Sequence, residues 1–378
     1  MSTRHRFHRA VTWLLGGVLT AFVVASPASA QTHQPWTGRG VPAPRAPMVD
    51  SVEPVRDAEA GRSAATAGAR AVTMVGLTVS DMDRSVGFYT QVLDFEKASD
   101  HMLLGPAYEA LDGVSGARRR VVRLRLGDEY LTLTEYVTKR GRPAPADSRS
   151  NDRWFQHVAI IVSDMDRAYA RLRAFEVRPV STAPQLLPKT IPNAAGIRAF
   201  YFRDPDSHPL EILQFPPDKG EPKWQHGNGR LFLGIDHTAI VVRSTAASLA
   251  FYRDGLGFRV AGESFNFGAE QERLNNVAGA RLRITGLRAA QGPGIEFLEY
   301  VAPSNGRPYP RDERPNDLVH WETTVLVPDA DSAAAVVRRG HFPLVSPGPV
   351  ELPDTTLGFR RGLLVRDPDG HVVQLVER

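Results

Sequence analysis

Short apolar runs that lead into a helix cap recur four times along this chain. The runs begin at Met74, His157, His237 and Glu322, so that the leading residue returns after 83, 80 and 85 residues. Each run has the length and apolar character of a buried β-strand, and an amphipathic stretch follows it. A unit that repeats at a nearly constant period indicates duplication, and we therefore divide the chain into four modules.

A helix is predicted after each of these strands. In the first module Met82, Val86, Tyr89 and Leu93 recur at helical spacing. About three further strand-like segments follow each helix, which gives the order βαβββ and an α+β fold class. The predicted helix caps are Asp81 or Asp83, Asp164, Ser244 or Thr245, and Asp329.

The modules alternate in length, which indicates two homologous halves. From the leading residue to a polar residue of the closing strand (Glu135, Glu211, Glu299 or Gln374), modules 1 and 3 span 61 and 62 residues, and modules 2 and 4 span 54 and 52. We expect two domains, at 72–216 (modules 72–138 and 154–216) and 233–378 (modules 233–302 and 319–378), with a linker at 217–232.

These features together resemble the vicinal oxygen chelate superfamily, which includes glyoxalase I, extradiol dioxygenases and bleomycin-resistance proteins. The resemblance rests on the βαβββ order, on Phe88-Tyr89 and Phe251-Tyr252 in the helices, and on the Asp-Pro-Asp-Gly turn at 367–370. It covers residues 72–378 and implies cup-shaped mixed sheets around clefts. The fold hosts several chemistries, so the resemblance is specific for the fold and weak for the reaction.

The resemblance also implies where a divalent metal would bind. In such folds the leading residue of each opening strand and a Glu of each closing strand point into the cleft, where nitrogen and oxygen ligands leave positions open for substrate. Iron, nickel, zinc or manganese are the candidate ions. The matching positions are Met74 and Glu135, His157 and Glu211, His237 and Glu299, and Glu322 and Gln374.

The pairing of the modules decides which site exists, and two pairings are open. Pairing within halves would give two incomplete sets. Pairing of modules 2 and 3 would unite His157, Glu211, His237 and Glu299, and we favour it slightly, with Glu211 and Glu299 as catalytic carboxylates. The second cleft would then hold Met74, Glu135, Glu322 and Gln374, a degenerate set because thioether sulfur is a poor ligand for hard cations. His320 could substitute there.

Charge and composition narrow the set of partners. The formal charge is only +4, without a clustered basic face, which argues against nucleic acid. Arg118, Arg120, Arg123 and Arg125 alternate with apolar residues along a predicted strand; solvent exposure is the favoured interpretation, and a cleft-facing set would favour an anionic substrate. His208 and His371 lie in turns and are expected at the surface. The chain has no cysteine, which excludes disulfides and thiolate catalysis.

The first 30 residues have the pattern of a secretory signal. Arg4, Arg6 and Arg9 precede an apolar stretch at 11–25, and Ala28-Ser29-Ala30 fits cleavage by a signal peptidase. Residues 31–71 are rich in Pro, Ala and Arg and are predicted to be a disordered linker. We therefore expect a periplasmic or secreted protein with no stable membrane span after cleavage.

Three functions are consistent with these patterns. The first is a metal-dependent isomerase, lyase or ring-cleaving dioxygenase that acts on a small molecule with vicinal oxygens. The second is a metal-free binding protein of the bleomycin-sequestering type. The third is a structural tandem module. Glyoxalase I activity itself is disfavoured, because a glutathione adduct is cytosolic and this chain carries an export pattern. The chain could be a monomer or a homodimer.

Overall fold

A computed structural model describes residues 66–378, which form one compact unit. The predicted signal peptide and most of the predicted linker lie outside the described residues. The last part of that linker is not disordered: the Ala67 amide donates to the Gly255 carbonyl and the Arg70 amide donates to the Leu326 carbonyl, both at 2.8 Å. Within residues 66–378, none of the helices combines the length and apolar character needed to cross a membrane.

Each of the four predicted modules is present, and the α+β fold class is confirmed. The first contains β1 (Ala71–Thr78), α1 (Met82–Val92), β2 (Glu96–Leu103), α2 (Pro106–Asp112), β3 (Arg119–Leu126) and β4 (Glu129–Tyr136). The second contains β5 (Gln156–Val162), α3 (Met165–Ala174), β6 (Gln185–Leu186), β7 (Arg198–Arg203) and β8 (Pro209–Gln214).

The second half repeats this order. The third module contains β9 (Phe232–Val242), α4 (Thr245–Leu249) continued by a π-helical turn (Ala250–Gly255), β10 (Arg259–Asn266), α5 (Ala269–Asn275), β11 (Arg281–Arg288) and β12 (Gly294–Ala302). The fourth contains β13 (Trp321–Leu326), α6 (Ala330–Arg339), β14 (Val350–Glu351), β15 (Arg361–Arg366) and β16 (Val372–Glu377). The short helices α2 and α5 account for the greater length of modules 1 and 3.

The helix caps follow the sequence pattern. Asp81 accepts from the Arg84 amide, Asp164 from the Arg167 amide and Asp329 from the Ser332 amide. Ser244 does the same for α4. Each side-chain oxygen satisfies one of the amides that the first helical turn leaves without a partner.

Both sheets are shared between the two sequence halves. One has the strand order β14-β15-β16-β13-β1-β4-β3-β2 and joins modules 1 and 4; the other has the order β10-β11-β12-β9-β5-β8-β7-β6 and joins modules 2 and 3. This is the second of the two pairings that the sequence left open. The halves at 72–216 and 233–378 each contribute one module to each sheet, and they are tied together by antiparallel pairs β1/β13 and β5/β9.

The helices pack in pairs within each half. Met82 and Tyr89 of α1 share one hydrophobic cluster with Met165 and Leu172 of α3. The helices α4 and α6 share a second cluster, in which Phe251 is almost fully buried. Buried apolar area of this kind stabilises the fold by roughly 25 cal/mol per Å². The sheets therefore join the two halves, and the helix pairs join the two modules within each half.

Two turn histidines, predicted at the surface, are buried instead. The His208 ring lies 2.8 Å from a carboxylate oxygen of Asp204, and the His371 ring lies 3.0 Å from Asp367, through Nδ1 in both cases. Their side chains are only 2 % exposed. The surface prediction was wrong because the carboxylate that makes burial tolerable comes from the Asp-Pro-Asp turn itself.

Two arginines connect the halves at equivalent places. Arg307 Nη2 lies 2.6 Å from Asp152 Oδ2, and Arg142 Nη2 lies 2.7 Å from Asp317 Oδ2. These pairs explain the repeated Gly-Arg-Pro sequences at 141–143 and 306–308. Asp152 is fully buried, so its charge depends on its cationic partners, of which Arg307 is the nearer and Arg149, at 3.3 Å, the second.

We predict that Arg307→Met lowers the free energy of unfolding by about 2 kcal/mol, a discounted value because the Arg307 side chain is 35 % exposed. Met keeps most of the packing on Trp154 but leaves Asp152 with only Arg149, at 3.3 Å, as a cationic partner. Arg125→Met, which breaks an exposed pair with Glu96, is the control and should change little. Equal losses in denaturant titrations of the two variants would contradict this account.

Candidate metal centre

Two histidines and one glutamate meet on the concave face of the sheet formed by modules 2 and 3. One ligand atom from each of His157, Glu211 and His237 lies within 4.8 Å of the others. His157 Nε2 is 3.2 Å and His237 Nε2 is 3.8 Å from Glu211 Oε2. All three residues are buried. The structure thus brings together three of the four residues that the sequence proposed.

Strand register explains why these side chains converge. In the antiparallel pair β5/β9, Ala159 lies opposite His237 and His157 opposite Ala239, so the two histidines are diagonal neighbours on one face. Glu211 joins them because β8 is parallel to β5 and lies next to Ala159 in register. Residues two positions apart on a strand share a face.

The fourth residue is Glu296 and not Glu299. Glu296 Oε1 lies 3.7 Å from His237 Nε2. Its place in β12, opposite Ala239 of β9, repeats the place of Glu211 in β8, opposite Ala159 of β5. Glu299 is three residues further along β12, and an odd separation puts its side chain on the other face of the sheet.

Glu299 instead caps a helix. Its Oε2 accepts hydrogen bonds from the Thr245 amide at 3.3 Å and the Thr245 hydroxyl at 2.7 Å, at the start of α4. Each module has an equivalent acceptor for the first amide of its long helix. These acceptors are Glu135, Gln214, Glu299 and Glu377.

The sequence carries a signal for this distinction. Each closing strand has two polar residues three positions apart: the first faces the cleft and the second caps the helix. The sequence-based assignment took the first in modules 2 and 4 but the second in modules 1 and 3. The cleft-facing positions are Thr132, Glu211, Glu296 and Gln374.

The assignment of Glu135 to the second cleft must therefore be corrected as well. It accepts from the Met82 amide at 3.3 Å and does not face the second cleft. Met74, Glu322 and Gln374 do line that cleft, and so does His320. The Met74 sulfur accepts a hydrogen bond from Thr132, and Gln374 accepts one from Thr324.

Unpartnered nitrogen atoms at the site fit a metal ion. Among the described residues, both ring nitrogens of His157 and Nε2 of His237 are buried and make no hydrogen bond; Glu211 Oε2 lies 3.2 Å from His157 Nε2, but the angles are not those of a hydrogen bond. Leaving buried polar atoms unpaired costs about 1–3 kcal/mol each, so a ligand is expected to satisfy them. Two imidazoles with one or two carboxylates suit iron, nickel, zinc or manganese.

Asp236 orients His237, and no sequence pattern singled it out. Register slips by one residue at this point, so that Asp236 is an extra residue of a β-bulge, next to His237. Asp236 Oδ2 lies 2.9 Å from His237 Nδ1, and Oδ1 accepts from Trp224 Nε1 and Arg288 Nη2. A carboxylate behind a histidine in this way directs the other ring nitrogen toward a metal.

The electrostatics of the site follow from its burial. Burial lowers the pKa of His237, but the carboxylate of Glu296 and the hydrogen bond to Asp236 outweigh it and raise that pKa to about 9. Burial and the charge of Glu211 raise the pKa of Glu296 above its ordinary value, although His237 opposes them. The site without metal therefore holds protons that a metal must displace.

Comparisons with known proteins agree with this architecture. Residues 71–212 and 234–375 match the family model described as the Glyoxalase/Bleomycin resistance protein/Dioxygenase superfamily. The match exceeds half of the chain, and the protein belongs to this family.

Among individual relatives, a 2-epi-5-epi-valiolone epimerase of Actinomyces sp is 35 % identical over 172 residues, which are 44 % of this chain and 89 % of that protein. Glyoxalase I from Zea mays superposes with a TM-score of 0.55 at 15 % identity and covers 82 % of this chain and 92 % of its own. A putative dioxygenase from Bacillus subtilis subsp. subtilis str. 168 gives 0.52 at 12 %, covering 82 % and 85 %. The two structural likenesses show the fold alone.

We predict that Glu296→Gln weakens metal binding at least about tenfold, because it removes a charge beside His237. The control is Glu299→Gln, which should bind metal like the wild type, since Gln214 already performs the capping role in module 2. Competitive titration with a chromogenic chelator measures both affinities. A larger loss in Glu299→Gln than in Glu296→Gln would reverse the assignment of the two residues.

Metal binding should release protons. At pH 7.5 His237, with a pKa of about 9, is protonated in the metal-free protein and must lose its proton to bind. In the metal-free protein, protonated His237 stabilises the fold because its pKa is higher in the folded than in the unfolded state. This stabilisation is fully present below the unfolded-state pKa and is lost as the pH rises through about 9. Calorimetry in buffers of different ionisation enthalpy should show that at least about one proton is released for each metal ion bound. Binding with no proton release would contradict the protonation state.

Proposed function

We propose that this protein is a divalent-metal-dependent enzyme that moves a proton on a small molecule with two adjacent oxygens, as an epimerase or isomerase does. The observation that carries the proposal is the buried group of His157, Glu211 and His237, whose ligand atoms lie within 4.8 Å of one another and in which three of the four ring nitrogens make no hydrogen bond. A structural module would have little reason to bury such a costly group.

The relatives support the choice of proton transfer. The similar protein of Actinomyces sp is named an epimerase. Inverting a carbon centre requires that a proton leave one face and return to the opposite face. Two carboxylates placed on either side of a bound substrate meet this need.

The sheet supplies such an arrangement. In the strand order β12-β9-β5-β8, the two histidine strands lie in the centre, with Glu296 on one flank and Glu211 on the other. His157, Glu211 and His237 would hold the metal, with Glu211 serving also as the second acid–base group, and the metal would supply Lewis-acid polarisation of a carbonyl oxygen. Glu296, with its raised pKa, can hold and deliver a proton near neutral pH, which suits a general acid or base.

A cavity beside these residues sets the size of the substrate. It has a volume of about 560 Å³ and is lined by Tyr201, Asn266, Ile284 and Lys219, among others. Cavities of about 300–1,000 Å³ accommodate small molecules. Lys219, which pairs with Asp218 at 3.8 Å, and Glu263 also line the cavity, so its charged groups favour a strongly polar substrate.

A second candidate is an iron-dependent dioxygenase. Its support is the composition of the group, two histidines and one carboxylate, which is the ligand set of many non-haem iron oxygenases. A metal-free sequestering protein is the third candidate. These candidates can be distinguished experimentally, because a dioxygenase consumes oxygen and a sequestering protein binds its ligand without turnover.

We also propose that the protein is exported to the periplasm or secreted. The support is the sequence pattern of residues 1–30 alone, with its arginines, apolar stretch and Ala-Ser-Ala. Cell fractionation and N-terminal sequencing test this directly. A chain recovered from the cytoplasm with residues 1–30 attached would contradict it.

The proposed activity predicts metal-dependent exchange of carbon-bound hydrogen with solvent. In deuterium oxide, the metal-loaded protein should wash deuterium into the carbon next to the carbonyl of cyclic and linear α-hydroxy ketones, as seen by proton NMR. Glu296→Gln should lower the rate by roughly 10²–10⁴ because it removes the proton carrier. Glu299→Gln is again the control.

Three results would count against this reaction. Exchange that persists after metal removal, or that survives in Glu296→Gln, would exclude the assigned roles. Oxygen consumption with an iron-loaded sample would favour the dioxygenase.

A further inference from the structure

The second cleft, on the sheet of modules 1 and 4, contains an unexpected buried cation. A small cavity of about 50 Å³ lies among Met74, Thr132, Glu322 and Gln374, the positions that correspond to the metal centre. One water needs about 10–15 Å³ of such space, so the cavity has room for a ligand of only a few heavy atoms. Arg119 of β3 forms part of its lining.

Arg119 has two hydrogen-bond donors without a partner. Its side chain is 6 % exposed, and Nη1 pairs with a carboxylate oxygen of Asp112. Nε and Nη2 are buried without a hydrogen-bond acceptor among residues 66–378. These two N–H groups form the side of the guanidinium that binds a carboxylate or phosphate with two parallel hydrogen bonds.

The aromatic neighbours of Arg119 do not replace such an acceptor. Its Cζ lies 5.5 Å from the ring centroid of Tyr108 and 5.9 Å from that of Tyr136. Cation–π contacts at these distances stabilise the charge by about 0.5–2 kcal/mol. These contacts do not provide a hydrogen-bond acceptor for the N–H groups. The Tyr136 hydroxyl donates its own hydrogen bond to Asp112, at 2.6 Å.

The metal cleft has no such cation at the equivalent position. In the pair β3/β4 Arg120 lies opposite Glu135, and in β11/β12 Arg283 lies opposite Glu299. The residues just before these arginines are Arg119 in one cleft and Leu282 in the other. By the same alignment Asp112 corresponds to Asn275. The cleft that lacks the histidine ligands is therefore the one that contains a buried guanidinium.

The other charges around the cavity leave room for an anion. Glu322 Oε2 lies 3.9 Å from His320 Nε2, so its charge faces an imidazole. His320 Nδ1 is 2.7 Å from Glu313, which also pairs with Arg366. Arg123 lines the same cavity and donates to the Thr356 carbonyl. Asp112 and Glu322 are thus opposed by Arg119, Arg123 and His320.

We propose that this second cleft binds a small oxyanion, a short-chain carboxylate or inorganic phosphate, through Nε and Nη2 of Arg119, without a metal. The site does not depend on the proposed enzyme activity, because it lies on the other sheet. A bound anion would satisfy both donors and balance the charge that the cavity already holds. The two candidate ligands, a short-chain carboxylate and inorganic phosphate, differ in charge and size, so their binding can be compared directly.

The experiment uses the full chain after metal removal, titrated with acetate, glycolate and inorganic phosphate at constant ionic strength, with chloride as the reference anion. We expect one of these oxyanions to raise the thermal midpoint and to bind with a Kd in about the millimolar range or tighter. The Arg119 Nε–H signal in nitrogen-15 NMR should shift on binding. The double variant Arg119→Leu/Asp112→Asn copies the metal cleft and should bind at least tenfold more weakly.

His157→Ala, which changes the metal centre alone, should bind the oxyanion like the wild type. Arg119→Lys is a second test in case the double variant does not fold. It keeps the positive charge beside Asp112 but not the two-donor geometry, and it should also bind the oxyanion at least tenfold more weakly. Equal responses of the wild type and the Arg119 variants would overturn the proposal. So would the absence of any response to all three oxyanions, or a response that His157→Ala abolishes.

Discussion

The antiparallel pairing of β5 with β9 is the constraint on which the site depends. It joins modules from different halves of the chain and sets His157 and His237 diagonally on one face. Parallel partners on both sides then add one carboxylate each, Glu211 from β8 and Glu296 from β12. The bulge at Asp236 completes the centre, since it places the carboxylate that orients His237 in the same strand.

The sequence predicted the modules well because their signals are local. An apolar strand, a capping aspartate and a helical stripe lie within about twenty residues of one another, and each responds to short-range rules. The pairing of modules is a long-range property, and the sequence left both possibilities open. Only the register of the strands selects the pair that unites the two histidines.

The misassigned carboxylates have a more instructive cause. Glu296 and Glu299 are equally polar and lie on the same strand, and the similarity of Glu299 to Glu135 favoured the wrong one. Side chains alternate across a sheet, so a shift of three residues exchanges a cleft position for a helix cap. Arg119 was missed for a related reason: its neighbours Arg118 and Arg120 were interpreted as exposed, whereas the burial of Arg119 depends on Asp112 from another element.

The two clefts show how one duplicated framework accommodates different charges. In one, two carboxylates lie beside two imidazoles, three nitrogens of which make no hydrogen bond, as a site for a cation would require. In the other, Met74 and Thr132 occupy the positions of His237 and Glu296, and Arg119 supplies a fixed positive charge nearby. Both arrangements bury charge at a cost that a suitable ligand would offset.

The central claim, that residues far apart in the chain form one metal centre, is tested most directly by X-ray absorption at the metal edge. The purified protein, after incubation with iron, nickel, zinc or manganese, should hold about one metal ion with two imidazoles and oxygen ligands in its inner sphere. His157→Ala should lose the metal or one imidazole. A protein that binds none of these ions, or an ion without imidazole ligands, would contradict the account.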